Sequence, residues 1–287
     1  MILKSKSYKP YIIFFYLLCC ALMVFAAFFD LKIDSALNNP ENPFAIWFRN
    51  TGEMPSRLIA PLAGAVLVKT YEKPIEKLLG YVICLGGSAY LGFHMSSYFL
   101  FENENHTSGE GVNIAYGLVY GIGTGIIILM TIKLIHIPKR MVAPLRTIAI
   151  MGILIMFIQL ATVEGSKYLW GRVRFRDLLK AQNYDAFTPW YHPNGINGNK
   201  SFPSGHTAGA GMSFLMMYLP YISKKWENKT AICFFLPLVY TFTVGFTRLV
   251  MGAHYLSDIT AGAIISFTIV IAGIKIYENR YMNKKQS

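Results

Sequence analysis

Apolar residues fall in long blocks along this chain, separated by short polar segments. Eight blocks stand out, at about 11–29, 55–71, 78–100, 113–135, 147–166, 204–222, 230–247 and 258–277. Most approach the roughly 20 residues that a helix needs to cross a bilayer. The second is the weakest, being short and interrupted by Pro61. The pattern predicts an all-α fold, a polytopic transmembrane helix bundle of about six to eight spans. The first block follows Lys4, Lys6 and Lys9. It is long for the apolar core of a secretory signal, and Phe28-Phe29-Asp30 is a poor cleavage site, so it is read as a retained helix.

Composition agrees with that reading. Of 287 residues, 54% are hydrophobic and 15% are charged, against about 25% charged in an ordinary soluble domain. The net charge of +12 would suit a nucleic-acid binder, but its placement explains it otherwise. With the N-terminus set in the cytoplasm, 17 of the 27 basic residues fall in cytoplasmic segments, among them Lys69, Lys73, Lys77, Lys133, Lys139, Lys224, Lys284 and Lys285. The outer loop 101–111 has no basic residue and carries Glu102, Glu104 and Glu110. Basic residues mark cytoplasmic loops, so both termini are expected in the cytoplasm and no nucleic-acid partner is needed. The four cysteines, Cys19, Cys20, Cys84 and Cys233, lie inside apolar blocks and read as packing residues. Gly117, Gly121 and Gly125 form a four-residue repeat expected to let another helix approach closely. His94 reads as a packing residue near a helix end.

The ten outer basic residues are not explained by topology. Seven of them, Lys167, Arg172, Arg174, Arg176, Lys180, Lys200 and Arg248, lie between the fifth block and the eighth. They accompany three clusters on the outer face. Lys167 and Arg174 stand seven apart where the fifth block ends, on one helix face if the helix continues. Pro203-Ser204-Gly205-His206 opens the sixth block, with Ser204 a good N-cap and backbone N–H groups available to a phosphate. Arg248, His254 and Asp258 follow the seventh block, and His254 and Asp258 have the four-residue spacing that sets side chains together on a helix. Between the first two clusters runs a long segment, 175–202, holding Tyr184, Phe187, Trp190, Tyr191 and His192. It suits a binding loop or an interfacial aromatic anchor equally.

Taken together these residues suit phosphoryl chemistry. Three cations and helix-terminal amides make a site for a dianion, and an arginine fork matches phosphate oxygens. A histidine backed by a carboxylate keeps one ring nitrogen free to attack, and a second histidine is free to protonate the departing oxygen. The product of attack is a phosphohistidine, which water then hydrolyses. The cations stabilise the developing charge, so no metal and no cofactor is required. No metal-binding spacing or Walker loop is present.

The pattern Lys167-x6-Arg174, Pro203-Ser204-Gly205-His206 and Arg248-x5-His254-x3-Asp258 resembles the type 2 phosphatidic acid phosphatase superfamily over about the last half of the chain. The resemblance implies a helical core shared with that superfamily and metal-independent dephosphorylation of lipid phosphates. It implies that Lys167, Arg174, Ser204, Gly205 and Arg248 hold the phosphate. It also implies His254 as nucleophile, Asp258 as its orienting acid and His206 as general acid. Two positions depart from the family pattern: Phe175 stands where a proline usually follows the first arginine, and Thr247 where a serine usually precedes the third motif. Phe175 leaves Arg172 or Arg176 as candidates to share Arg174's role. Five blocks precede the first motif, where many bacterial relatives have three, and the extra ones carry no chemistry.

The expected organisation is therefore N-terminal transmembrane helices over 1–145 and a catalytic transmembrane core over 146–287. The expected function is a lipid phosphatase of the cell membrane with its site on the outer side. Candidate substrates are undecaprenyl diphosphate, phosphatidic acid, phosphatidylglycerol phosphate and lipid A phosphates. Membrane lipids are its other expected partners, and the oligomeric state is left open. The same residues would serve a lipid phosphotransferase. A non-catalytic phospholipid-binding transporter would use the cations alone, with no need for the His254–Asp258 pair.

Overall fold

The structure, a computed structural model, describes residues 8–99 and 110–281. Lys4, Lys6, Glu102, Glu104, Lys284 and Lys285, which entered the orientation argument, lie outside the described residues. All regular elements among the described residues are helical. They are α1 (Lys9–Leu37), α2 (Pro43–Thr51), α3 (Met54–Arg57), α4 (Ile59–Thr70), α5 (Pro74–Phe99), α6 (Glu110–Leu134), α7 (Lys139–Trp170), α8 (Phe175–Ala181), α9 (Gly205–Gly211), α10 (Leu219–Ile222), α11 (Thr230–Val250) and α12 (Leu256–Tyr281), with short 3₁₀ turns between some of them. Among the described residues six helices, α1, α5, α6, α7, α11 and α12, are long and apolar enough to cross a membrane. Their outward faces carry exposed Leu17, Phe28, Val119, Phe157 and Val239. The chain is an all-α, polytopic helix bundle.

Two of the eight expected blocks are not continuous α-helices. The block at 55–71 becomes α3 and α4, split at Leu58. Pro61 has no N–H to give the carbonyl of Arg57, four residues earlier, so the helix must restart there. The block at 204–222 becomes α9, a 3₁₀ stretch over Met212–Tyr218, and α10. Pro220 removes the hydrogen bond to Met216, and Gly205, Gly209 and Gly211 weaken the helix before it.

The described residues divide into two compact units. One comprises Met54–Met156 with the residues from Ile276 onward. Its centre is α5 against α4 and α6, and the glycine repeat of α6 lies at that contact. A Cβ on Gly121 would sit 2.6 Å from the Cα of Ala89, and one on Gly117 would sit 2.5 Å from the Cα of Phe93. The expected close approach is realised, and the His94 ring packs on Tyr90 with centroids 4.5 Å apart.

The other unit joins the residues up to Glu53 to Phe157–Lys275. Its interior is aromatic: Phe15, Phe214, Phe234 and Phe267 are fully buried, with Phe15 stacked on Phe267 at 3.9 Å. Small residues let α9, α11 and α12 close on one another. A Cβ on Gly262 would meet the carbonyl oxygen of Ser204 at 2.5 Å, and one on Gly245 would lie 3.1 Å from Ile259. All three sequence clusters fall in this unit.

Candidate active site

Lys167 stands in the last turn of α7, with its ammonium 2.5 Å from Glu164 Oε1. The same ammonium reaches α9: a Cβ on Gly205 would lie 3.1 Å from Lys167 Nζ. The helix does not continue to Arg174. Gly171 adopts φ 51°, and its carbonyl accepts from the Asn197 side chain at 2.7 Å. A side chain at 171 would strike the Gly195 carbonyl. Arg174 is instead the extended N-cap residue of α8, and its Nε is buried without a hydrogen-bond partner. The first position of α8 favours proline, but Phe175 there is buried beside Leu178 and Tyr255, so the departure serves packing.

Arg172 is engaged elsewhere. It donates to Asp258 Oδ1 at 2.6 Å, Ser257 Oγ at 2.7 Å, Asp30 Oδ2 at 2.9 Å and the Thr188 carbonyl at 2.8 Å. Its guanidinium also lies over the Tyr255 ring, 4.1 Å from the centroid. Each of its three guanidinium nitrogens is engaged by these partners, which commits Arg172 to the protein interior. Arg176 is half exposed beside Asp177 at 3.9 Å.

Ser204 caps α9, its Oγ accepting from the N–H of Thr207 at 3.3 Å. The Ser204 N–H donates to the Asp258 carbonyl at 2.9 Å, tying the second cluster to the third. His206 follows in the first turn, with Nδ1 3.2 Å from Glu53 Oε1. Arg248 is buried in the last turn of α11, its Nη2 3.3 Å from the Ala45 carbonyl and 2.7 Å from Met251 Sδ.

His254 lies in the turn between α11 and α12, not on a helix. The turn is gripped from outside: Asn39 donates to the Val250 carbonyl at 2.7 Å and Arg176 to the Gly252 carbonyl at 2.9 Å. His254 Nδ1 is 2.7 Å from the Ser201 carbonyl and 3.6 Å from Asp258 Oδ2. The carbonyl therefore holds Nδ1 as the protonated nitrogen and leaves Nε2 with its lone pair. Asp258 Oδ2 accepts from Ser201 Oγ at 2.5 Å and from the Tyr255 N–H at 3.0 Å, so this carboxylate caps the start of α12 while facing the imidazole. Burial holds the His254 pKa below the ordinary histidine value. Asp258 opposes that shift, while Arg174 and Lys167 reinforce it. These influences bring both cations into the field of the His254 ring.

The aromatic segment after α8 is tied down. Trp190 donates to the Met23 carbonyl at 3.2 Å, Trp170 to the Trp190 carbonyl at 2.5 Å, and Asn194 to Thr188 Oγ1 at 2.9 Å. Three site residues escaped the sequence reading: Asp30, Glu53 and Ser201. For Asp30 a signal existed, since it stands directly at the end of the first apolar block and an ionisable residue at membrane depth is a functional suspect. For Glu53 and Ser201, in polar segments, nothing marked them.

The family model described as the PAP2 superfamily matches residues 148–282. Over this stretch, just under half of the chain, the sequence is similar to the PAP2 superfamily. Every residue singled out from the three motifs lies within the match, whereas Asp30 and Glu53 lie outside it. The chain is 38% identical to lipid phosphate phosphatase 1 of Arabidopsis thaliana over 92 residues, 29% of this chain and 28% of that protein. It is 37% identical to probable lipid phosphate phosphatase 4 of the same plant over 78 residues, 25% of each. It is 34% identical to probable diacylglycerol pyrophosphate phosphatase 1 of Schizosaccharomyces pombe over 87 residues, 28% of this chain and 31% of that protein. The alignments thus span about a quarter to a third of these relatives' length. No solved structure matches the chain.

Proposed function

We propose that this protein is an integral membrane lipid phosphatase that removes the terminal phosphate of a lipid mono- or diphosphate without a metal. The observation that carries this reading is the state of His254: Nδ1 is held by the Ser201 carbonyl beside Asp258, leaving Nε2 as a lone-pair donor. Binding alone needs no such oriented nucleophile. Lys167, the unpartnered Arg174 Nε and Arg248 supply cations for the phosphate, with the Ser204 and Gly205 backbone at the start of α9.

In this reading His254 Nε2 attacks phosphorus, the bond to the leaving oxygen breaks, and His206 gives that oxygen a proton. Water then attacks the phosphohistidine, passing a proton to His206 as the P–N electron pair returns to His254. Free phosphate is the product.

The names of the relatives support lipid monophosphates and diacylglycerol diphosphate as substrate classes, and a polyprenyl diphosphate such as undecaprenyl diphosphate presents the same group. The basic residues Lys69, Lys73, Lys77, Lys224 and Lys225 support a topology with cytoplasmic termini in the cell membrane. That topology sets the site at the extracytoplasmic face.

The test is phosphate release by purified protein from a panel of lipid mono- and diphosphates, with EDTA present. Wild type is expected to be active and His254→Ala to fall at least about 10³-fold. An equally active His254→Ala variant, or complete loss on chelation, overturns the mechanism.

A further inference from the structure

Within the phosphatase reading above, the general acid needs something to set its tautomer, and a carboxylate from outside the matched family stretch stands beside it. We infer that Glu53, from the turn between α2 and α3, is the positioning residue for His206. Its Oε1 lies 3.2 Å from His206 Nδ1, and both side chains are about one-fifth exposed (21% and 22%). A carboxylate at Nδ1 keeps the proton on that nitrogen through both half-reactions. As imidazolium, His206 then gives its Nε2 proton to the leaving oxygen. As the neutral ring it presents an Nε2 lone pair to the incoming water. Glu53 stays ionised throughout and exchanges no proton.

Three contacts show that the turn is held in place for this. The Tyr240 hydroxyl donates to the Gly52 carbonyl at 3.1 Å. Gly52 itself lies so close to α11 that a Cβ there would be 2.7 Å from Val244 Cγ1. On α9, one turn beyond His206, Gly209 leaves the room Glu53 uses: a Cβ there would sit 3.1 Å from Glu53 Cγ and 3.3 Å from its Cβ. The carboxylate therefore approaches along the face of α9 that a larger residue at 209 would close.

The two histidines thus have different backing. Asp258 is fully buried and anchored by Arg172, Ser201 and the Tyr255 amide, whereas Glu53 is reached by solvent. The first arrangement fixes a nucleophile. The second holds an acid that gives up its proton in one half-reaction and regains it from the attacking water in the next.

Leaving-group chemistry separates this role from simple support. A lipid monophosphate expels an alcohol, which needs the proton. A lipid diphosphate expels a phosphate monoester, which leaves readily without it. The parameter kcat/KM reports steps up to phosphohistidine formation, so the leaving group is visible in it. For dioctanoyl substrates of both kinds, Glu53→Gln is expected to lower kcat/KM on the monophosphate about 30-fold, within the range typical of general-acid effects. On the diphosphate the loss is expected to stay under about threefold. Without the nearby anion the imidazolium is less favoured, so the alkaline limb on the monophosphate should move to lower pH. Glu53→Asp should restore part of the monophosphate rate. Gly209→Ala, which crowds Glu53, should show the same bias in smaller measure.

Equal losses on both substrates, or no loss on either, overturn the inference while leaving the phosphatase reading intact. An inactive wild-type protein, or an active His254→Ala variant, overturns that reading and this inference with it.

Discussion

Arg172 Nη1 lies 2.6 Å from Asp258 Oδ1, and both side chains are essentially inaccessible to solvent. The other terminal nitrogen of the same fork lies 2.9 Å from Asp30 Oδ2 on α1, and Ser257 links that acid to the arginine by donating to Asp30 and accepting from Arg172. One buried cation thus serves two buried carboxylates, and one of these faces His254. The first helix, outside the matched family stretch, is joined through Arg172 to the acid beside the nucleophile.

Removing Arg172 leaves both carboxylates buried without their cation. Breaking a buried pair in this way costs about 3–5 kcal/mol. Arg172→Met is therefore expected to lower the thermal unfolding midpoint in detergent sharply. Arg174 stands two residues away with a buried Nε and no partner there. Arg174→Ala should leave that midpoint nearly unchanged and lower kcat/KM about 10²-fold through loss of a phosphate contact. The reverse pattern would show that the two arginines have exchanged roles.

The pH dependence follows from His254. Attack requires the neutral ring, and burial shifts its pKa below the ordinary value of about 6.5. The acid limb of kcat/KM should accordingly fall below pH about 6.5. Asp258 favours the imidazolium, so Asp258→Asn should move that limb lower still while reducing the plateau about 10²-fold or more. The sign for folding is the same as for a depressed carboxylate. An unfolded histidine takes a proton near pH 6.5 and the folded one resists, so this contribution is present above about 6.5 and is lost as pH falls toward the folded value. A limb that rises above 6.5 on the Asp258→Asn change would contradict the assignment.

Much of this site was legible because its parts sit at helix ends, where short motifs carry local geometry. Ser204 reads as an N-cap, and its Oγ does accept the Thr207 N–H. The spacing of His254 and Asp258 also signalled proximity, though the contact arises differently. His254 precedes α12, and Asp258 turns back to cap its first turn. The seven-residue spacing of Lys167 and Arg174 suggested a continuous helix. What breaks it is Gly171 with Asn197 and Gly195 beside it, a contact across more than twenty residues that local pattern does not contain. The block at 204–222 is mainly apolar, and hydrophobicity does not distinguish an α-helix from a mixed α and 3₁₀ segment. Asp30 and Glu53 illustrate the remaining limit. Each acts on a residue more than a hundred positions away, so only the packing of α1 and α2 against the later helices reveals its partner.

Gly205 gives the sharpest test of how closely the cations must be set. The space where its Cβ would go is bounded by Lys167 Nζ at 3.1 Å and Val163 Cγ1 at 3.9 Å, with no backbone atom in the way. Lys167 has a flexible stem, so the Gly205→Ala variant can fold by moving the ammonium aside. Alanine is also a better helix former than glycine by roughly 1 kcal/mol, which favours the first turn of α9. Stability should therefore stay level or rise slightly. Activity should move the other way, because a displacement of about 1 Å in a group set against a reacting phosphate can lower the rate about 10²-fold. The expected result is an unfolding midpoint unchanged or higher, together with kcat/KM reduced between about 10- and 100-fold. In a Lys167→Ala background the Gly205→Ala change should cost no further activity, since no ammonium then remains to be displaced. Additive losses in that double variant would mean that Gly205 acts through its own backbone and not through Lys167.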